Sequence, residues 1–337
     1  MSELLLHNAC LIDPAKRREF SGSLEIAKGR ISRIVPQDAE DMHATLSTGK
    51  VVDCLGMCLA PGLIDIGVKI GEPGERHKES FRSAGLAAAA GGVTTIVMRA
   101  DTLPAIDTPE TLRFVLDRAR EEAPVHVHPL AALTKGRAGR EMTEIGFLRD
   151  AGALGFSDGD AVCADPRVMA RALGYARQSG ALVIGHVQDP GLSRGAAVTS
   201  GKFAALRGLR AVSPMAERMG LERDLALCEM TGASYHADQI TTAAALAPLR
   251  RAKEAGLDVT AGVSIHHLTL NELDVGDYRT FFKVKPPLRS DDDRRAVVAA
   301  LAEGLIDIIC SMHTPQDEES KRLPYGEAAS GAVGLET

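Results

Sequence analysis

The sequence lacks the features that would place it in a special class of protein. No apolar run in its 337 residues approaches the roughly 20 residues that a membrane-spanning helix needs. The first residues, Met1, Ser2 and Glu3, lack the basic region of a secretory signal peptide. The formal net charge of −6 is modest and no acidic tail is present, so we expect neither nucleic acid nor a membrane as partner. A cytoplasmic globular protein is predicted.

Cysteine is also scarce, with six residues spread along the chain. Spacings this wide do not form a disulfide framework. The closest pair, Cys54 and Cys58, has no matching second pair, which favours two buried thiols over a zinc site.

What the chain does contain is a change of pattern near residue 57. Residues 1–57 alternate apolar and polar positions in short runs, which predicts a small antiparallel unit, a β-sandwich subdomain. Over residues 58–337, apolar strands alternate with helices. Eight such units favour an α/β fold of the closed (β/α)8 TIM-type barrel over an open sheet. The strand candidates are Leu63–Ile70, Thr94–Asp101, Val125–Thr134, Ala153–Asp158, Leu182–Asp189, Ala233–Ile240, Asp258–Leu268 and Leu305–His313.

Several predicted helices carry signals at their ends. Thr108 precedes Pro109, a capping residue followed by the proline that the first helical turn favours. Ser290 precedes three aspartates, which suit the positive end of a helix dipole, and Gly304 closes that helix. These signals support the alternation of strands with helices.

Ordered segments over nearly the whole chain carry a resemblance to one family. They are Pro61–Asp65, Glu72–Gly74, Ala89–Thr95, Leu133–Gly136, Gly155–Asp158, Val259–Ala261, His266–Leu268, Pro286–Arg289 and Gly334–Thr337. In this order they resemble the dihydroorotase family of the amidohydrolase superfamily. The resemblance implies a barrel whose metal ions activate a water to open a cyclic amide. It also implies further C-terminal residues that complete the N-terminal subdomain.

Family members bind zinc where the barrel strands end and their loops converge. The resemblance places Gly67 and Lys69 at the His-x-His pair of strand one, and Gln239 at a ligand histidine of strand six. Met312 replaces the expected catalytic aspartate, and a thioether cannot act as a general base. Gly71 stands where an arginine would bind the substrate carboxylate. The chain therefore resembles the members of the family that have lost metal ligands.

His186 and an aspartate at residue 158 or 160 survive as candidate metal ligands, and the possible residual set is Asp158, His186 and His313. A catalytic zinc site uses three protein ligands, so these residues form a possible residual site for one ion. We favour the alternative that they are polar residues satisfied by hydrogen bonds. His266 and His267 are likewise interpreted as a structural pair after strand seven.

The resemblance assigns substrate binding to Arg99, Asp101 and Lys285, since a planar carboxylate suits bidentate donors. Asp101 would repel that carboxylate, and Arg99 would compensate. We also predict that Lys69 replaces the metal structurally, pairing with Asp101 and Asp158 to balance charge in a dry cavity. No cofactor is then expected, and zinc is expected if the protein is active.

Three functions remain open. The first is a non-catalytic homologue in pyrimidine biosynthesis that supports aspartate carbamoyltransferase within a homo- or hetero-oligomer, as the resemblance implies. The second is an active hydrolase that opens dihydroorotate to N-carbamoyl-aspartate or acts on a related cyclic amide. Its candidate groups are Asp158, Asp160, His186, His236 and His313. The third is a binding module that senses either compound through Lys69, Arg99 and Lys285.

Overall fold

The computed structural model describes residues 4–37 and 49–336. It divides into two compact units, Met1–Leu63 and Ile64–Thr337. The first unit ends at Leu63, whereas the sequence pattern predicts its end at residue 57.

The first unit contains one five-stranded sheet among the described residues. Its strands are β1 (Leu4–Asp13), β2 (Arg18–Ala27), β3 (Arg30–Pro36), β4 (Lys50–Asp53) and β5 (Cys58–Leu59). The order is β3-β2-β1-β4, and β5 also pairs with β1. The β1–β2 and β2–β3 pairs are antiparallel, whereas β4 and β5 run parallel to β1. The prediction of a wholly antiparallel unit was wrong, because a chain that returns to β1 through a long connection can pair in either direction.

The thiol prediction was also wrong for the closest cysteine pair. Cys58 is exposed in β5, which is only two residues long, and Cys54 is half-buried just after the end of β4. The buried thiols are Cys163, Cys228 and Cys310.

The second unit is a closed barrel, as predicted. The strands of this unit are β6 (Leu63–Val68), β7 (Val93–Met98), β8 (His126–Pro129), β9 (Val183–Gly185), β10 (Val198–Thr199), β11 (Ala211–Val212), β12 (Tyr235–Ala237), β13 (Val259–Ser264) and β14 (Ile308–Cys310). Among the described residues, the short strands β10 and β11 pair only with each other, outside the barrel. The barrel strands form two hydrogen-bonded runs, β6-β7-β8 and β14-β13-β12-β9. Phe156 links the runs through parallel bridges to Ala131 and Val183. The Lys69 amide donates to the His313 carbonyl at 2.8 Å and closes the ring.

Helices follow the strands. They are α1 (Phe81–Ala90), α2 (Pro109–Glu122), α3 (Ile145–Asp150), α4 (Pro166–Ser179), α5 (Pro190–Ser193), α6 (Lys202–Arg207), α7 (Met215–Thr231), α8 (Ala243–Glu254), α9 (Ile265–Thr269), α10 (Asp291–Ala302) and α11 (Glu318–Lys321). Short 3-10 turns lie at Lys135–Arg137, Glu272–Val275 and Thr280–Phe282. In the part of the chain that the structure describes, no helix combines the length and the apolarity needed to span a bilayer.

Two predicted helix starts are confirmed in atomic detail. The Thr108 side chain accepts a hydrogen bond from the Thr111 amide at 3.3 Å, ahead of Pro109 in α2. The Ser290 side chain accepts from the Asp293 amide at 3.1 Å at the start of α10. These bonds satisfy amides that have no partner within the helix.

All eight predicted strands are longer than the strands in the structure. The fourth, Ala153–Asp158, is reduced to isolated bridges at Phe156. The seventh ends at Ser264, because the Ser264 side chain accepts from the His267 amide at 3.3 Å and starts α9. A side-chain cap there competes with continuation of the strand.

The buried hydrophobic residues form three clusters. The largest lies between the strands and the helices, and a second one includes Phe203, Leu288 and Tyr325. The smallest consists of strand and strand-end residues: Ile66, Val97, Leu130 and Ile184. Because side chains alternate along a strand, Arg99 and His186 continue the face of Val97 and Ile184 two residues further on. Both therefore reach the mouth of the barrel.

Candidate active site

The first ligand position of strand one has no room for a side chain. Gly67 has φ = +81°, and a Cβ built on it would lie 2.6 Å from the Met312 sulfur. The Met312 side chain is buried, with 7% of its surface exposed. Gly67 and Met312 therefore pack against each other, and the Met312 thioether occupies the space above Gly67.

Gly71 belongs to a turn that excludes a side chain. A Cβ at this position would lie 2.3 Å from the Glu75 carbonyl oxygen, and the Glu75 amide donates back to the Gly71 carbonyl at 2.5 Å. An arginine cannot take the place of Gly71 unless the backbone moves. The site for a substrate carboxylate that the resemblance implies is therefore absent at this position.

Lys69 points into the mouth and pairs with two carboxylates. Its Nζ lies 3.0 Å from Glu75 Oε2 and 3.6 Å from Asp101 Oδ2. Lys78 Nζ donates to Glu75 Oε1 at 2.5 Å. Burial acts to raise the pKa of Glu75, but the Lys78 and Lys69 ammonium groups outweigh it and hold that pKa below its usual value. The predicted pair with Asp101 is present, whereas the predicted pair with Asp158 is not.

Sequence reasoning missed Glu75 as the stronger partner of Lys69. The available signal was the charged loop Glu72–Glu79, which follows the strand that carries Lys69. No spacing rule within that loop decides which carboxylate turns back to the lysine, because the turn at Gly71 sets the direction.

Arg99 and Asp101, both predicted to bind substrate, bind each other. Arg99 Nε donates to Asp101 Oδ1 at 3.1 Å and Nη2 donates to Oδ2 at 2.5 Å, while Nη1 donates to Thr314 Oγ1 at 3.2 Å. Burial disfavours the charged form of both groups. The opposite charge of the partner outweighs this effect, so the pKa of Arg99 is raised and that of Asp101 is lowered. The guanidinium fork is occupied and leaves little donor capacity for a ligand.

Lys285 lies at the outer edge of the mouth. Its Nζ donates to Asp160 Oδ2 at 3.0 Å, and Arg137 Nη2 donates to Asp160 Oδ1 at 2.6 Å. Burial would raise the pKa of Asp160, but Lys285, Arg99 and Arg137 lower it. The side chains of Lys285 and Asp160 are 49% and 41% exposed, so this pair is screened by water and the lowering has little consequence for stability.

Two of the three candidate metal ligands have their ligand atoms engaged. Asp158 Oδ1 accepts from the Thr134 amide at 2.9 Å and Oδ2 accepts from Thr134 Oγ1 at 2.6 Å. Burial raises the pKa of Asp158, and these bonds oppose the rise. His313 Nδ1 accepts from the Gly334 amide at 3.1 Å, so Nε2 carries the proton and donates to Glu79 Oε2 at 3.0 Å. Asp158 and His313 are therefore polar side chains whose hydrogen bonds are made within the protein.

The donor set does not fit zinc. Over residues 4–37 and 49–336, no three His, Cys, Asp or Glu side chains converge in a way that could hold a metal ion. Asp158, His186 and His313 are thus not brought together as ligands of one ion. Gly67 and Gln239 add no imidazole to them.

His186 differs from the other two candidates. It is 6% exposed and its ring forms no hydrogen bond with the described residues. Burial, together with the nearby cations Lys285 and Arg99, lowers the pKa of His186 to about 3. The imidazole is therefore neutral at physiological pH.

The histidine pair after strand seven is structural at His267. His267 Nδ1 accepts from Ser264 Oγ at 2.7 Å and Nε2 donates to the Pro286 carbonyl at 3.2 Å. The interpretation of His267 is confirmed. His266 Nε2 is buried and has no hydrogen-bond partner among the described residues.

Asp238 is a mouth carboxylate that sequence reasoning passed over. It is 6% exposed and forms no side-chain hydrogen bond with the described residues. Burial raises its pKa to about 6, Asp101 and Asp160 add to the rise, and Arg99 opposes it. The resemblance singled out the neighbouring Gln239 instead. The Nε2 atom of Gln239 donates to the Lys285 carbonyl at 3.3 Å.

The centre of the mouth is almost full. The space lined by Arg99, Gln239, His266 and Met312 has a volume of about 40 Å³. Small-molecule sites have volumes of roughly 300–1,000 Å³, and one water needs about 10–15 Å³ of such space. The centre can therefore hold water but not a cyclic amide.

A fully buried ion pair lies below one side of the mouth. Glu217 Oε1 accepts from the Thr241 and Thr242 amides at 2.8 Å each, and Oε2 accepts from Arg289 Nη2 at 3.2 Å and Gln188 Nε2 at 3.4 Å. Arg289 Nε also donates to Thr241 Oγ1 at 2.9 Å. This pair joins α7 to the loops after β12 and β13.

Residues 56–245 match a family of proteins described as dihydro-orotase-like. A protein of Wolbachia sp. subsp. Drosophila simulans (strain wRi) named dihydroorotase is 38% identical over 331 residues, covering 98% of this chain and 74% of its own length. A dihydroorotase of Syntrophus aciditrophicus (strain SB) is 36% identical over 335 residues, covering 99% and 78%.

Solved structures show the same fold at lower identity. The L-hydantoinase (dihydropyrimidinase) from Arthrobacter aurescens superposes with a TM-score of 0.86 at 21% identity, covering 100% of this chain and 75% of its own. The D-hydantoinase (dihydropyrimidinase) from Thermus sp. has a TM-score of 0.78 at 23% identity, covering 99% and 74%. At such identities the likeness concerns the fold alone, because one fold hosts many functions.

Proposed function

This chain belongs to the dihydroorotase-like family, and we propose that it is a non-catalytic member that serves pyrimidine biosynthesis as a structural partner. One observation carries this proposal. The Met312 sulfur lies 2.6 Å from where a side chain on Gly67 would begin. With Met312 in this place there is no space for a side chain at residue 67, so neither a metal ligand at residue 67 nor a carboxylate at residue 312 is available.

The charges of the mouth support the same proposal. Lys69 pairs with Glu75 and Asp101, and Arg99 pairs with Asp101. A buried charge is tolerated when it is paired and hydrogen-bonded. We propose that Lys69 takes over the charge balance that a cation would provide, so that the barrel needs no ion to remain folded.

Zinc would supply Lewis-acid activation of a water and of the ring amide in this family. The residues at the corresponding positions do not fit such an ion, because no three ligand side chains converge among the described residues. A barrel nevertheless keeps its shape without that chemistry, because layered aliphatic side chains fill its core.

Metal analysis combined with an activity assay tests the proposal. We expect the purified full-length protein to contain no stoichiometric zinc and to leave dihydroorotate unopened at neutral pH. An active dihydroorotase assayed in parallel verifies the conditions. Stoichiometric zinc together with turnover would overturn the proposal.

The partner that we propose is aspartate carbamoyltransferase, in a hetero-oligomer. Its support is the resemblance to the metal-ligand-poor members of the family. Size-exclusion chromatography of the two purified proteins should show a common peak. A strictly monomeric protein that leaves the transcarbamoylase rate unchanged would count against this partner.

A second candidate function is an active hydrolase with a rearranged site. The observation that favours it is the name dihydroorotase carried by relatives that are 35–38% identical over nearly the whole chain. His186, whose ring is unbonded, is then the residue to test. Ring opening that is abolished by His186→Ala and unaffected by His126→Ala, at an exposed histidine away from the mouth, would favour this function.

A further inference from the structure

Two cysteines of the first unit are direct neighbours on adjacent strands. Cys10 of β1 is in register with Cys58 of β5, and the two strands run parallel. Register partners of this kind project their side chains to the same face of the sheet, and the next pair, Leu11 and Leu59, projects to the other face. Leu11 is buried, whereas Cys10 is half-buried and Cys58 is exposed. The two thiols therefore lie side by side on the more accessible face of the sheet.

The spacing of these strands suits a disulfide bond. Neighbouring strands lie roughly 4.7–4.9 Å apart, and the Cα atoms of disulfide-bonded cysteines lie about 4.4–6.8 Å apart. The two thiols already interact, because burial, the charge of Cys58 and a hydrogen bond with the Cys58 side chain raise the pKa of Cys10. Since β5 is only two residues long, a small shift of this strand can bring the two Cβ atoms to the distance of about 3.8 Å that the bond requires.

The other four cysteines have different surroundings. Cys163, Cys228 and Cys310 are buried, and burial raises the pKa of each of these thiols, which disfavours the reactive thiolate. Cys54 is half-buried and follows β4, whose register partners in β1 all precede Cys10. Cys54 is therefore the competing thiol and provides a matched control.

We propose that Cys10 and Cys58 form a reversible disulfide bond when the protein meets a small-molecule disulfide of the glutathione type. The bond joins β5 to β1, two strands that share only two register pairs among the described residues. Exposed disulfides are the ones that small thiols reduce readily, which makes the bond reversible. The proposal goes beyond the partner role and does not depend on it, because both cysteines belong to the first unit and the mouth residues belong to the second.

The exchange proceeds in two steps. The exposed Cys58 thiolate attacks one sulfur of the small disulfide, which forms a mixed disulfide and expels one small thiolate. Cys10 then loses its proton to water, and its thiolate attacks the Cys58 sulfur and expels the second small thiolate. The two protein thiols are oxidised by two electrons, and the small disulfide is reduced to two thiols.

Equilibration of the full chain with mixtures of oxidised and reduced glutathione tests the proposal. Free thiols are blocked with N-ethylmaleimide, and the peptides are mapped by mass spectrometry without reduction. The variants are Cys10→Ser, Cys58→Ser and the control Cys54→Ser. The wild-type chain unfolded in urea gives a reference that does not depend on the folding of any variant.

We expect the wild-type chain to lose two of its six thiols, to give linked peptides that contain Cys10 and Cys58, and to recover both thiols with dithiothreitol. Cys54→Ser should behave like the wild type, Cys10→Ser should stop at a glutathione adduct on Cys58, and Cys58→Ser should form no disulfide bond. The equilibrium constant of the bond should be at least about tenfold higher in the native chain than in urea, because the sheet holds the two thiols together.

Four results would overturn the proposal. They are the persistence of all six thiols, a link between Cys54 and Cys58, a glutathione adduct on wild-type Cys58 that does not proceed to the disulfide, and an equal equilibrium constant in urea.

Discussion

Two buried carboxylates of the barrel unit, Glu217 and Asp238, have opposite surroundings. Glu217 is fully buried and accepts hydrogen bonds from Thr241, Thr242 and Arg289. Asp238 is nearly as buried, yet its side chain has no hydrogen bond with the described residues and burial raises its pKa to about 6. One carboxylate is built into the structure, and the other is left without a partner.

The difference shows which buried carboxylate stabilises the barrel through its contacts and which one does not. Glu217 ties a helix to two loops, so losing it would loosen the whole side of the mouth near β12 and β13. Asp238 faces Gly67 and Met312, neither of which offers it a hydrogen bond. Polar groups at a functional site often cost stability, and Asp238 keeps that cost without a visible catalytic partner.

The largest expected effect is on the satisfied carboxylate. Glu217→Gln should lower the free energy of unfolding by about 3–5 kcal/mol, because it leaves Arg289 buried without a counter-charge. Urea unfolding monitored by circular dichroism measures this. The double variant Glu217→Gln with Arg289→Met should cost less than the sum of the single changes. Additive costs would mean that the two side chains act independently.

The unsatisfied carboxylate should respond in the opposite direction. Its folded pKa of about 6 lies above the ordinary 3.8, so ionised Asp238 destabilises the fold above pH 6. Asp238→Asn should therefore stabilise the protein by about 1–3 kcal/mol at pH 7–8, and the gain should disappear as the pH falls from 6 toward 4. Unfolding curves at several pH values measure it. A loss of stability at pH 8 would show that the charge is needed.

A smaller effect is expected for Lys69. Lys69→Met should cost about 1–2 kcal/mol, because it removes a partly buried cation while Arg99 and Lys78 still compensate Asp101 and Glu75. Unchanged thermal stability would remove the structural role of Lys69.

The matched control has the smallest expected effect. Lys135 pairs with Glu141 at the surface, where the two side chains are 49% and 69% exposed. Lys135→Met should change stability by less than about 0.5 kcal/mol, since exposed ion pairs contribute little. A cost equal to that of Lys69→Met would mean that the mouth environment does not strengthen its ion pairs.

Much of the barrel could be predicted from local patterns. The alternation of strands and helices, the cap of α2 at Thr108 and that of α10 at Ser290 all rest on nearby residues and are present in the structure. The parallel pairing of β4 with β1 could not be predicted, because it depends on a distant partner and not on the alternation within either strand. The end of β13 at Ser264 was missed because an apolar run favours strand and helix alike.

The residue types at Gly67, Lys69, Gln239 and Met312 were determined by the sequence alone, since whether a side chain has a ligand atom is a property of the residue itself. Only the tertiary structure decided that Met312 packs over Gly67, that Lys69 turns to Glu75, and that Asp238 has no partner. These relations join residues far apart in the chain, and burial and distance, which set their energies, exist only once the barrel has closed.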